Sequence, residues 1–181
     1  MNQNNFFDTD GWLKNVNRIE SINFNQRPPL TKNFLVVIHS ISLPPGQYNN
    51  CFIEDFFQNK LDPRLHPYFE TISDTKVSAH FLVKRNGKLI QFVSCLNRAW
   101  HAGESSWKGV PNCNDYSIGI EVEGCEIEPF ENEQYKKLLN LLDQLKKEYN
   151  ITDIVGHSDI APQRKIDPGP YFDWNKIKNE I

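Results

Sequence analysis

Apolar positions along the chain follow two rhythms, and each rhythm predicts an element. FLVVI (34–38) is a continuous apolar run rich in β-branched residues, which predicts a strand buried on both faces. NNCFIEDFFQNK (49–60) sets Phe52, Ile53, Phe56 and Phe57 at helical spacing and predicts a short amphipathic helix ending before Pro63. Residues 61–75, with Pro63 and Pro67, read as a loop. VSAHFLVK (77–84) and KLIQFV (88–93) flank Asn86 and Gly87, a strong hairpin signal. In SIGIEVEG (117–124), Ile118, Ile120 and Val122 face one way while Gly119, Glu121 and Glu123 face the other. Two glutamates on one face assign that face to water or to a site. Tyr135, Leu138, Leu139, Leu142, Leu145 and Tyr149 form the apolar stripe of a helix over 132–149. ITDIV (151–155) predicts a last strand, and DWNKIKNEI a closing helix capped by Asp173.

Strands and helices alternate loosely around one hairpin. The expected fold is therefore α/β, a single domain with a mixed β-sheet flanked by helices. Residues 1–33 are polar and irregular apart from a patch at Trp12 and Leu13. They read as an N-terminal arm packed on a domain spanning 34–181. In sheets of this kind, sites gather at the carboxyl ends of strands. His39 ends the first apolar strand, and Gly156 and His157 end the last.

Composition removes several function classes. The formal net charge is -3 over 181 residues, with no basic stripe, which argues against a nucleic-acid partner. No apolar stretch approaches the ~20 residues that cross a bilayer, so no membrane segment is expected. MNQNNFFDTDGWLK lacks the basic start and apolar middle of an export signal. Cys51, Cys95, Cys113 and Cys125 show no C-x-x-C pairing and read as reduced thiols. These features together give the expectation of a cytoplasmic location.

The segment GHSDIAPQRKIDPG (156–169) cannot be an uninterrupted helix and has too little apolar content for a core segment, yet it carries His157, Lys165 and Asp167 among three breakers. A catalytic zinc ion takes three protein ligands and leaves one position open. His39, His157 and Asp167 supply nitrogen, nitrogen and oxygen for such a site. A carboxylate beside the attacking water can accept its proton, and Glu121 is the candidate. A cation can face the charge that develops on the carbonyl oxygen, and Lys165 is the candidate. Each residue also has an ordinary structural reading: a loop histidine, a turn-forming aspartate before proline, a solvated lysine. His80 reads as either a core histidine or a partner behind the site. Trp100 reads as either a core residue or a platform for a sugar ring. Cys113 has no flanking feature that would activate a thiol nucleophile.

Taken in order, VVIHSISLPPG, HPYF, VSAHFLVKRNGKLIQFV, RAWHAGESSWKG, CNDYSIGIEVEG and GHSDIAPQRKIDPGPYFDW resemble the cytoplasmic 1,6-anhydro-muramyl amidases. These belong to the amidase and peptidoglycan-recognition superfamily, and the resemblance runs from about Gly11 to Trp174. It implies one Zn2+ per chain, held by His39, His157 and Asp167, with Glu121 and Lys165 catalytic. It implies hydrolysis of the amide between a lactyl group and L-alanine in a muropeptide, by a monomer. Ser40 stands where the resemblance leads us to expect asparagine, and Lys76 where it leads us to expect arginine. Ser40, Lys76 and Arg164 are expected to meet the peptide or lactyl end of the substrate, and Trp100 and His101 to line the sugar side. Two rival expectations share this fold: a module that only binds muropeptides, and an amidase that acts more broadly on wall fragments.

Overall fold

The structure is a computed structural model that describes residues 6–29, 31 and 33–177. Among the described residues, ten strands and four α-helices follow one another. The N-terminal segment contributes β1 (Asn17–Arg18) and β2 (Phe24–Gln26), and β3 (Asn33–Ile41) follows. The middle of the chain holds α1 (Phe52–Phe57), α2 (Pro67–Ile72), β4 (Phe81–Val83), β5 (Leu89–Gln91) and β6 (Asn97–Ala99). Then come β7 (Ser106–Trp107), β8 (Val110–Pro111) and β9 (Ser117–Glu123). The last elements are α3 (Asn132–Glu148), β10 (Asn150–Gly156) and α4 (His157–Ile160).

The main sheet has the order β1-β5-β4-β9-β3-β10. Only the β4–β5 pair, the expected hairpin, is antiparallel; the other pairs are parallel. The sheet is therefore mixed, as the sequence pattern requires. Helix α3 lays Tyr135, Leu138, Leu142 and Leu145 on one face, against Val36, Ile38, Ile118 and Ile120. Leu141 is fully buried with them, while Leu139 and Tyr149 only flank the cluster. The stripe is thus rotated slightly from the sequence expectation. Helices α1 and α2 cover Leu82 and Ile90 on the opposite face. Helix α4 covers Leu35, Val37 and Val155 on that second face.

Three expectations need correction. Residues 61–75 are not all loop: a 3-10 turn (Pro63–Leu65) precedes α2. Pro67 opens α2 rather than breaking it, because a first-turn N–H has no intrahelical partner to lose. His66 caps that end by accepting the Tyr68 N–H at 3.1 Å. Of the predicted closing helix, the described residues form a 3-10 turn (Trp174–Lys176) capped by Asp173, and residues 178–181 lie outside the described residues. The polar face of β9 does not meet solvent, since every residue of the strand is buried.

That burial has a physical solution at Glu123. Its carboxylate is fully buried and meets Lys84 Nζ at 3.2 Å. It also accepts the backbone N–H groups of Arg85 at 2.9 Å and Asn49 at 3.3 Å. Lys84 reaches Glu54 of α1 at 3.3 Å as well. One buried cation thus ties a helix to the strand that bears Glu121. Removing one member of a buried ionic group strands its partners. Lys84→Met is therefore expected to cost about 3–5 kcal/mol of unfolding free energy, read from a urea melt. A loss below ~1 kcal/mol would show that the two carboxylates are solvated or protonated in the fold.

The N-terminal segment is less irregular than its composition suggests. β1 extends the main sheet beside β5, and β2 pairs with β6. Arg27 reaches inward, and its guanidinium donates to the carbonyls of Cys95, Asn114, Asp115 and Ser117. Burial lowers its pKa to about 10, so it remains a cation at neutral pH. His80 is a core histidine. Its Nδ1 accepts the Gly119 N–H at 3.0 Å, which leaves Nε2 to donate to the Asn97 carbonyl at 3.0 Å.

Candidate metal centre and active site

The parallel register of β3 and β9 sets His39 directly beside Glu121. β10 lies on the other side of β3 and ends at Gly156. The chain turns there because the Gly156 N–H is taken by Asp159 at 2.7 Å, and His157 starts α4. A Cβ on Gly156 would lie 2.9 Å from the Pro168 ring. Glycine therefore lets the segment carrying Asp167 close over the strand end. The Ser158 N–H donates to the Asp167 carbonyl at 2.9 Å and pins that segment. His39 does not end its strand, since β3 runs on to Ile41, but it is thereby brought together with His157 at the start of α4 and Asp167 of a proline-bounded loop.

His39 and His157 are buried, and Asp167 is the most open of the three. His39 Nδ1 lies 2.9 Å from His157 Nδ1 and 3.1 Å from Asp167 Oδ2. His157 Nδ1 lies 3.0 Å from the same oxygen. The three atoms make a nearly equilateral triangle. Adjacent ligands of a tetrahedral zinc ion, at bonds of ~2.0–2.1 Å, are separated by roughly 3.3 Å. The triangle is slightly contracted from that spacing.

The proton count supports the same fit. His157 Nε2 donates to the Ala102 carbonyl at 3.0 Å, which is the tautomer whose Nδ1 carries a bare lone pair. Burial lowers the His39 pKa to about 4, with Asp167 offsetting only part of the drop, so His39 is also neutral at pH 7. At most one proton, on His39 Nδ1, fits between these three atoms. Two imidazole lone pairs and a carboxylate oxygen would otherwise repel one another. A divalent cation satisfies all three at once.

Glu121 stands next to this triangle. It is buried, and its Oε2 has no hydrogen-bond partner among the described residues. Burial, and then the charge of Asp167, raise its pKa well above the usual carboxylate value, and Lys165 opposes the rise. A buried polar atom without a partner is expensive, and such atoms gather where a ligand completes the site. Glu121, Lys165 and the triangle all open into one cleft of about 450 Å³.

Comparison with known proteins gives the family. Residues 30–170 match the family model for N-acetylmuramoyl-L-alanine amidase. The chain belongs to the N-acetylmuramoyl-L-alanine amidase family. It is 48% identical to the 1,6-anhydro-N-acetylmuramyl-L-alanine amidase AmpD of Haemophilus influenzae, over 94% of this chain and 95% of that protein. A crystal structure of an AmpD selenomethionine derivative superposes with a TM-score of 0.93 at 42% identity, covering 97% of this chain and 98% of the other. The Escherichia coli amidase AmiD superposes with a TM-score of 0.60 at 34% identity, covering 85% of this chain and 58% of that one. That AmiD structure is a complex with anhydro-N-acetylmuramic acid-L-Ala-D-gamma-Glu-L-Lys.

The amidase cleft takes in some of the expected substrate contacts and not others. Ser40, His101 and Arg164 line it. Arg164 is already held, donating to the carbonyls of Ala102 and Glu104 at 2.7 Å each. Lys76 is exposed and outside the lining, although its neighbours Thr75 and Val77 belong to it. Trp100 is also outside the lining, and its indole N–H donates to Asn25 of the N-terminal segment at 2.7 Å. Pattern reading missed Tyr68 and Ile72, which form a wall of the cleft from α2. The signal was present in His66-Pro67, a capping residue followed by an N1 proline.

Proposed function

We propose that this amidase is a zinc enzyme that hydrolyses the amide between the lactyl group of 1,6-anhydro-N-acetylmuramic acid and L-alanine. The observation that carries the reading is the lone-pair triangle of His39, His157 and Asp167 beside the unpartnered Glu121 Oε2. The substrate class rests on the AmpD relatives and on the muropeptide held by AmiD. In this reading residues 34–181 carry the zinc amidase machinery, and residues 1–33 brace it through Arg27. The chain works as a monomer in the cytoplasm on muropeptides recovered from the wall. No helix among the described residues is long and apolar enough to cross a membrane.

His39, His157 and Asp167 would hold one zinc ion, which would supply Lewis acidity and acidify water toward a pKa of ~7. Glu121, with its raised pKa, takes a proton from the attacking water as the oxygen bonds to the amide carbon. Lys165 faces the negative charge that gathers on the carbonyl oxygen. Glu121 then returns the proton to the alanine nitrogen as the carbon–nitrogen bond breaks. The products are a free carboxylate on the sugar's lactyl arm and a free peptide amine. Ser40 and Arg164 bind the substrate beside this centre, and Lys76 does so from the rim. Serine offers fewer donors than asparagine, and lysine lacks the bidentate fork of arginine. Preference among peptide stems is therefore set differently in this chain from relatives carrying those residues.

The test is a mass-spectrometric assay with anhydro-muramyl-tripeptide and its reducing muramyl counterpart, with zinc and with a chelator. Release of free peptide from the anhydro compound alone, lost with chelator and restored by zinc, is the expected result. Equal cleavage of both sugars would replace the reading by a broader amidase on wall fragments. Zinc bound without cleavage of either would replace it by a binding module.

A further inference from the structure

His101 belongs to the zinc machinery more closely than to the substrate. Its ring is held at both nitrogens. Nδ1 lies 2.9 Å from His39 Nε2, and Nε2 lies 3.0 Å from Ser117 Oγ. The ring packs edge-on against His39, with centroids 5.0 Å apart. The main chain on either side of it is fixed as well, since Asn114 Oδ1 accepts the N–H groups of His101 and Ala102 at 3.1 and 2.8 Å. Gly119 supplies the space. A Cβ built there would lie 2.4 Å from the His101 ring. Ser117, Gly119 and Glu121 are alternate residues on one face of β9. That face therefore holds a hydroxyl that anchors the ring, a gap that admits it, and the carboxylate of the centre itself. Ser117 is fully buried, and its carbonyl accepts Arg27 at 2.7 Å.

We infer that Ser117 and His101 form a positioning relay that fixes the tautomer and orientation of His39, so that His39 Nδ1 is bare and aimed at zinc. The inference rests on the zinc reading above. Zinc ligation through His39 Nδ1 requires the His39 proton on Nε2; His101 Nδ1 then accepts it, and His101 Nε2–H donates to Ser117 Oγ. Partners of this kind, which hold the far nitrogen of a metal-bound histidine, typically set metal affinity by 10–100-fold. His101 is a positioning residue here, because it acts through His39.

The experiment measures zinc affinity by competition with a chromogenic chelator, independently of turnover, on wild-type protein and three variants. His101→Leu and Gly119→Ala are expected to weaken zinc by roughly 10–100-fold. His101→Gln is expected to stay within a few-fold of wild type, because its amide oxygen can accept from His39 while its NH2 donates to Ser117. Metal-free melting curves and circular dichroism show whether each variant is folded, and His101→Gln keeps the test open if His101→Leu is not. Wild-type affinity in His101→Leu overturns the relay. So does a rise in KM with zinc affinity unchanged, which would make His101 a substrate contact. Loss of affinity in His101→Gln equal to that in His101→Leu also overturns it, since the accepting atom would then not matter. If wild-type protein binds no zinc at all, the zinc reading itself fails, a result distinct from all of these.

Discussion

Glu121→Gln is expected to lower kcat by roughly 10²–10⁴-fold, the usual worth of a positioned general base, while zinc affinity stays at the wild-type level. The two halves of this result come from different atoms. Glutamine keeps the shape of the side chain but cannot accept a proton from water at neutral pH. The triangle of His39, His157 and Asp167 does not include Glu121, so the ion has no reason to leave. Stability should move in the opposite direction to activity. Burial and Asp167 raise the Glu121 pKa in the folded chain. A carboxyl raised above its unfolded value favours the fold at low pH, and that advantage is lost as pH rises through the folded pKa. Above the unfolded carboxyl's pKa the metal-free fold therefore bears the cost of holding Glu121 buried without a partner. The neutral amide removes that cost, so the metal-free variant should melt no lower than wild type, and higher as pH rises. Peptide release, chelator competition and calorimetry of the metal-free protein check the three parts. A kcat within a few-fold of wild type would remove Glu121 from proton transfer.

Those residues were legible in the sequence to different depths, and the differences have physical causes. β3 announces itself because a strand buried on both faces must be apolar throughout, and FLVVI is. The hairpin follows from Asn86-Gly87, because Gly87 sits at φ 79° where other residues are strained. The placement of His39 near the end of β3 and of His157 just past β10 follows from the same runs, since a parallel sheet brings the ends of its strands together. What periodicity could not show was the second cover over β9. Alternation reports that Glu121 and Glu123 share a face, but not that the face is buried. The burial depends on Lys84 and α1, which are distant in sequence from β9. α2 was hidden because proline carries opposite meanings inside a helix and at its first position. The setting of His101 was hidden for a third reason. Its partners Ser117 and Gly119 look like unremarkable strand residues until the ring is seen between them.

The largest loss of metal is expected from Asp167→Ala, and it should come without loss of the fold. Asp167 Oδ2 is the only oxygen of the triangle, facing both His39 Nδ1 and His157 Nδ1. Its removal should weaken zinc by more than the 10–100-fold typical of outer partners, and turnover should disappear with the ion. The loop itself has other anchors. The Asp167 carbonyl takes the Ser158 N–H, and the neighbouring Pro168 is buried. Both survive truncation of the side chain. In the metal-free state the carboxylate even opposes its neighbours, because it faces the bare lone pair of His157 Nδ1. Zinc therefore divides the two proteins. A ligand that binds only the folded chain raises its stability by RT ln(1 + [L]/Kd), about 2.7 kcal/mol at a hundredfold excess over Kd. Wild-type protein should melt well above its metal-free form when zinc is added. Asp167→Ala should melt at the metal-free temperature with or without zinc. If the variant kept stoichiometric zinc and full turnover, Asp167 would not be the oxygen ligand.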